Sequence, residues 1–160
     1  MGVTYSDQDI AQFLSEPKAL PPDYRSRLKL RHKKGHSEHE LSIVGANGSH
    51  LRVIVRQSSI NALDFSVILA VWPPTSTRPF RLRRHNGRSH EHTNTIEGIT
   101  FYDFHIHEAT QRYQELGVRE DWYAEPTSRF ASVWDAFDCL LADCSFVEPN
   151  GLQGRLLEEA

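Results

Sequence analysis

A chain of 160 residues, 39% hydrophobic and 10% aromatic, is long enough for one good core and too apolar to be disordered. No apolar run approaches the ~18 residues of a membrane span, and the N-terminus lacks the basic-then-apolar order of a secretory signal. A cytoplasmic protein with no membrane partner is therefore expected. The net charge of −3 hides a segregation: residues 21–100 hold 13 Lys/Arg against 6 Asp/Glu, residues 108–160 hold 4 against 11. Either the basic middle meets a phosphate backbone, or the two parts lie together and cancel locally.

Ser6 with Asp9 three residues on reads as a helix start, Ile10, Phe13 and Leu14 share one face, and Pro17 ends the helix. Leu20-Pro21-Pro22 is a rigid connection. Beyond Tyr24 the pattern turns to period two. Arg25, Arg27, Lys29 and Arg31 alternate with Leu28 and Leu30 as a strand with one basic face. Five Lys/Arg fall between Arg27 and Lys34, and this cluster is either a solvated strand edge or an extension of an RNA track with Tyr24 beside it. Strands follow at His39–Val44 and His50–Gln57, joined by a tight Asn47-Gly48 turn. Phe65–Trp72, nearly all apolar, predicts a central strand closed by Pro73-Pro74. With no helix-length gap between these strands, a meandering antiparallel sheet is expected.

The densest stretch runs from Phe80 to His107. Asn86-Gly87, taken as a two-residue hairpin turn, sets His85 against Arg88, Arg83 against His90 and Arg81 against His92. Alternation then puts all six on one face with no carboxylate. Such a face repels itself when empty and favours an anion: Arg81, Arg83, His85 and Arg88 as phosphate binders, histidines as proton carriers near neutral pH. The next strand puts Asp103, His105 and His107 on one face, opposite Tyr102, Phe104 and Ile106, which read as core.

Glu108–Leu116 predicts a helix ended by Gly117. Asp121–Pro126 reads as a loop with Trp122 and Tyr123. A second helix starts at Ser132, with Val133, Trp134, Phe137, Leu140 and Leu141 as its apolar face. Cys139 and Cys144, five apart on it, point to different sides, which argues against a disulfide and for a reducing compartment. From Val147 the chain reads as a tail or short extra helix. The expected fold is α+β: a single domain with an antiparallel sheet of about six strands, an N-terminal helix and two C-terminal helices packed mainly on one face. Its parts are residues 1–20 (helix), 24–107 (mainly sheet), 108–146 (helical) and 147–160 (tail).

Two chemistries want the Arg/His set. Metal-independent phosphodiester cleavage needs one His as base, another as acid, and Arg for charge developing on phosphorus. RNA suits it, because its 2′-hydroxyl is a built-in nucleophile. His90 and His105 are the preferred pair, with His92 and His107 as further candidates. Alternatively, the two His-x-His pairs, His90/His92 and His105/His107, with Asp103, bind a divalent transition metal. The arginines argue against that, so no cofactor is expected. A third option is a non-enzymatic binding or regulatory protein whose Arg/His face holds an acidic partner or nucleic acid. Signatures of the commoner enzyme classes are missing: there is no Walker loop, Gly-x-Ser-x-Gly elbow, dinucleotide fingerprint or His-Glu-x-x-His.

Residues 79–144 carry Arg-Leu-Arg-Arg-His-Asn-Gly, a His-x-His soon after, and a helix of the type Ala-Phe-Asp-Cys-Leu-Leu-Ala-Asp. In this they resemble the small TumE-type toxins of bacterial toxin–antitoxin pairs. The stretch is also similar to small bacterial and phage proteins with a Ser-His-Glu-His-Thr-Asn core. The likeness covers under half the chain, which adds residues 101–117 and an N-terminal sheet. It implies a small intracellular toxin-like or defence-associated protein, neutralised by an antitoxin-like partner and acting on RNA or nucleotides. It assigns no catalytic residue.

Overall fold

The computed structural model describes residues 4–149. In chain order the elements are α1 (Asp7–Ser15), β1 (Lys18–Ala19), α2 (Tyr24–Arg27), β2 (Lys29–Lys33), β3 (His36–Val44), β4 (His50–Ser58), β5 (Phe65–Val71), β6 (Phe80–Asn86), β7 (His92–Asn94), β8 (Ile99–Phe101), β9 (His105–Glu108), α3 (Gln111–Leu116), β10 (Ala124–Pro126), α4 (Val133–Asp143) and β11 (Phe146–Val147). Seven strands form one sheet in the order β10-β9-β6-β5-β4-β3-β2, antiparallel throughout. β1 pairs with β11 in parallel, and β7 with β8 as a separate antiparallel ribbon. The α+β class and the antiparallel sheet agree with the sequence reading; the sheet has seven strands where about six were expected.

The sheet has two unlike faces. Leu41, Ile43, Leu51, Val53, Val55, Phe65, Val67, Leu69 and Val71 point to one, where they pack with Ile10 of α1, Tyr24 of α2, and Phe137 and Leu140 of α4. At ~25 cal/mol per Å² of apolar area removed from water, this layer is the main source of stability. Ser6 caps α1, accepting from Asp9 N while Asp9 returns a bond to Ser6 N, the reciprocal box expected there. Ser132 caps α4, and Gly117 ends α3 at φ 84°. The other face carries Glu38, Glu40, Arg52 and Arg56 on β3 and β4, with Ile68 and Ala70 of β5 buried among them; over β6 and β9 the β7–β8 ribbon and the loop of residues 119–123 lie on it.

Local readings needed correction. Tyr24–Arg27 is a helical turn, so the basic strand starts only at Lys29, and Tyr24 is buried and offers no ring to a ligand. α3 begins at Gln111, because residues 105–108 form β9. The loop at residues 121–126 closes on an edge strand, β10. β2 is the other edge, as the clustered Lys and Arg of a strand border suggest. Most of the expected tail, from residue 150 on, lies outside the described residues.

The largest correction is the hairpin at Asn86-Gly87. Neither residue has a positive φ, which a two-residue hairpin of that type requires. β6 is paired on both sides, with β5 and with β9, so no edge remains for residues 88–94. Gly87 is needed for another reason. Its N–H donates to the Phe65 carbonyl at 2.9 Å, and a Cβ there would collide with the Leu63 carbonyl.

Candidate functional site: a buried imidazole layer and the polar end of the sheet

A β-bulge decides where the arginines go. β5 pairs Val71 with Phe80, Ala70 with Arg81, then Leu69 with Arg83, so Leu82 is the extra residue. A bulge puts two consecutive side chains on the same side. Phe80, Leu82, Arg83 and His85 therefore face the helices, while Arg81, Arg84 and Asn86 face the ribbon. The single Arg/His face expected from strict alternation is split in two.

On the helix side, His85 is fully buried, stacked on Phe130 with ring centroids 5.3 Å apart. Its Nδ1–H donates to the Ala136 carbonyl at 3.2 Å, and Arg83 Nε–H donates to its Nε2 at 3.1 Å. Burial, and then Arg83, lower its pKa to about 4. Arg83 is itself held by Asp143 at 2.7 Å, and Arg129 grips the same carboxylate with both terminal nitrogens. His85 and Arg83 are thus core-side groups, sealed from any anion over the ribbon side.

On the ribbon side, His105 and His107 of β9 stand in register with Asn86 and Arg84 of β6. His92 of β7 lies on them, with ring centroids 5.6 Å from His105 and 4.8 Å from His107. The three rings form one buried layer, edged by Trp122 at 4.9 Å and Phe101 at 5.4 Å from His92. Their protons are directed outward. His105 Nδ1–H donates to the Asp103 carbonyl at 2.7 Å, His107 Nδ1–H to the Trp122 carbonyl at 3.2 Å, and His92 Nε2–H to Asn94 Oδ1 at 2.9 Å. Burial lowers all three pKa values, that of His105 to about 4, with Arg84 adding to the effect on each. The layer is neutral at pH 7.

Arg84 brings a charge to this layer, and Asp121 answers it. Asp121, 0% exposed, lies 3.1 Å from Arg84 Nε, 3.1 Å from Arg119 Nε and 3.8 Å from Arg81 Nε. None of the three contacts has hydrogen-bond geometry, so they are ion pairs without directed donors. Burial lowers the Arg84 pKa to about 10, which Asp121 partly counters, and the guanidinium stays charged. Arg81 also binds Glu120 at 3.0 Å. The acidic part of the chain therefore folds back onto the basic part: the charge segregation is cancelled largely within the molecule.

His90 alone of the four candidate histidines is exposed. Its ring lies 6.0 Å from that of His105, and Ser89 Oγ bridges His90 Nδ1 (3.2 Å) and Asp64 Oδ1 (3.3 Å). Arg88 is exposed beside it, 5.4 Å above the Tyr102 ring, which is 48% exposed and not in the core as expected, because β9 starts only at His105. Asp64 also lines a cavity of about 360 Å³ with Lys34, His36, Arg56 and Ser66. Arg56, Ser66, Asn86 and His105 are successive register partners on β4, β5, β6 and β9, so they form one row across the sheet. At ~4.8 Å per strand the row is roughly 14 Å long. Ser66 Oγ donates to Asn86 Oδ1 at 2.8 Å, and Asn86 Nδ2 lies 3.5 Å from His105 Nε2. Glu38 at the far end is saturated by Lys33 and Arg56, both at 3.2 Å, and its pKa is lowered to about 2. Lys34 and Arg88 make no ion pair among the described residues.

His92, His105 and His107 lie together with His90 at their exposed edge, whereas Arg81, Arg83 and His85 do not join them and Arg88 reaches only the rim. Among the described residues no three His, Cys, Asp or Glu side chains are placed to hold a metal ion. His92 and His105 lie nearly parallel, at 18°, and the Asp103 side chain is exposed, so the alternative ligand set is not assembled. Sequence reasoning missed Arg84, Asp121, Asn86 and Ser66. Asn86 was spent on a turn, and period-two reading put Arg84 on the wrong face because a bulge leaves no mark in composition. No family model, curated protein or solved structure matches the chain. Among the described residues no helix is long and apolar enough to cross a membrane.

Proposed function

We propose that the protein binds a phosphate-bearing ligand, single-stranded RNA foremost, along the polar row at this end of the sheet. The observation that carries this is the row Arg56–Ser66–Asn86–His105 with, at each flank, a cation that makes no ion pair among the described residues, Lys34 on one side and Arg88 on the other. Cations contact phosphates, Ser66 and His90 offer hydrogen bonds while the buried Asn86 positions the Ser66 hydroxyl, and the exposed Tyr102 ring gives a base a surface to stack on. The likeness to TumE-type toxins points to the same ligand class and adds a setting: a cytoplasmic toxin-like or defence protein held by an antitoxin-like partner. Two free cysteines, Cys139 and Cys144, suit a reducing compartment. The test is binding of a short single-stranded RNA at low salt. The Lys34→Ala/Arg88→Ala pair should weaken it tenfold or more without unfolding the protein.

A second reading, RNA cleavage with His90 and His105 as the acid–base pair, is favoured by their 6.0 Å separation and by the neutral His105 ring. His105 is 0% exposed, however, and Arg81 and Arg83, once assigned to the phosphate, are engaged by carboxylates elsewhere. The buried His105 ring and the engaged arginines favour binding over cleavage. Turnover of RNA in EDTA, abolished by His90→Ala with binding retained, would put cleavage first instead.

A further inference from the structure

A cavity of about 530 Å³ opens at the other end of β6, where Phe80 and Arg81 begin the strand. It falls in the size range of small-molecule sites. Two arginines reach it. Arg78 makes no ion pair among the described residues. Both ion pairs of Arg81, to Glu120 and Asp121, run through Nε, leaving its two terminal nitrogens uncommitted among the described residues. The bulge one residue further on keeps Arg81 on this side while Leu82 and Arg83 turn to the core, the kind of re-aiming for which bulges recur beside binding sites. Pro79, Phe80 and Val118 supply apolar wall, and Gln114 an amide.

The geometry points to a second ligand site here, for a nucleotide-sized organic phosphate: the phosphate on Arg78 and the free end of Arg81, the flat ring against Pro79 and Phe80. Two guanidinium forks suit a dianion. Glu120, already neutralised by Arg81, is placed to accept from a sugar hydroxyl. The site is separate from the His90–His105 end of the sheet and stands without it. Its ligand is either a free mononucleotide or the terminal phosphate of an RNA strand, which share this chemistry.

The test is calorimetric titration of the full chain with a nucleoside monophosphate, inorganic phosphate, and one short RNA with and without a 5′-phosphate. One mononucleotide should bind per chain, more tightly than inorganic phosphate. Arg78→Glu, on an exposed side chain, should weaken it tenfold or more, and Val118→Trp, which fills the cavity, should do the same. Lys34→Ala/Arg88→Ala should leave it unchanged. Competition by the 5′-phosphorylated RNA alone would identify a strand end as the ligand, and no competition by either RNA a free nucleotide. Absence of mononucleotide binding, affinity equal to that of inorganic phosphate, or insensitivity to both cavity variants would overturn the site.

Discussion

Asp121 shows how much a single side chain can organise. It is fully buried among three arginines, Arg84, Arg119 and Arg81, and it anchors the loop of residues 119–123 to the sheet. Removing one partner of a buried ionic cluster leaves uncompensated charge, at a cost of about 3–5 kcal/mol. Asp121→Asn should therefore lower the free energy of denaturant unfolding by about that amount, far more than Asp135→Asn on the exposed first turn of α4. The buried histidines predict acid lability. His85 and His105 have folded pKa values near 4 against 6.5 for free imidazole. Above pH 6.5 both states are neutral and stability is complete. As pH falls from 6.5 towards 4 the unfolded chain takes up protons first, and stability is lost by on the order of 3 kcal/mol for each ring. Urea midpoints measured between pH 7.5 and 4.5 should fall steeply below pH 6.5, and a flat profile would contradict burial of neutral rings. None of this was legible at the residue level. Asp121 sits in a stretch that reads as an ordinary polar loop, and His-x-His gives the same pattern whether the rings face water or one another.

At the scale of elements, the β7–β8 ribbon is held to the sheet by few contacts. His92 stacks on the buried rings, Asn94 exchanges bonds with the Ala124 backbone at 2.7 and 2.9 Å, and Trp122 Nε1–H donates to the Thr93 carbonyl at 2.9 Å. Trp122→Ala should loosen it. Amide exchange should speed up by an order of magnitude or more at Thr93–Asn94 and Thr100–Phe101, while the β4 and β5 amides keep their protection. Uniform acceleration across both would show that ribbon and sheet open together. Elements with a strong period and good punctuation were legible: α1 with its cap, β4, β5 with its Pro-Pro stop, and the buried face of α4. The ribbon was not. The Asn86-Gly87 signal for a hairpin is a local preference, and pairing of β6 with β9, nineteen or more residues away, overrode it. The bulge at Leu82 then undid the alternation on which the Arg/His face depended.

For the molecule as a whole, the basic middle and acidic end proved to be halves of one internal charge arrangement, with Arg25–Asp138, Arg81–Glu120, Arg83–Asp143 and Arg84–Asp121 joining them. At the His90 end of the sheet, what remains for a partner among the described residues is Lys34 and Arg88, flanking a polar row and one exposed imidazole. That pattern suits phosphate contact at a few points and a modest dependence on salt, with a slope set by two or so neutralised phosphates. The most direct measurement is fluorescence anisotropy of a labelled single-stranded RNA titrated with the protein at low salt. The account predicts saturable binding, weakened tenfold or more by Lys34→Ala/Arg88→Ala and several-fold by Tyr102→Ala, with folding unchanged by circular dichroism. Absence of binding, or binding indifferent to these substitutions, would contradict it.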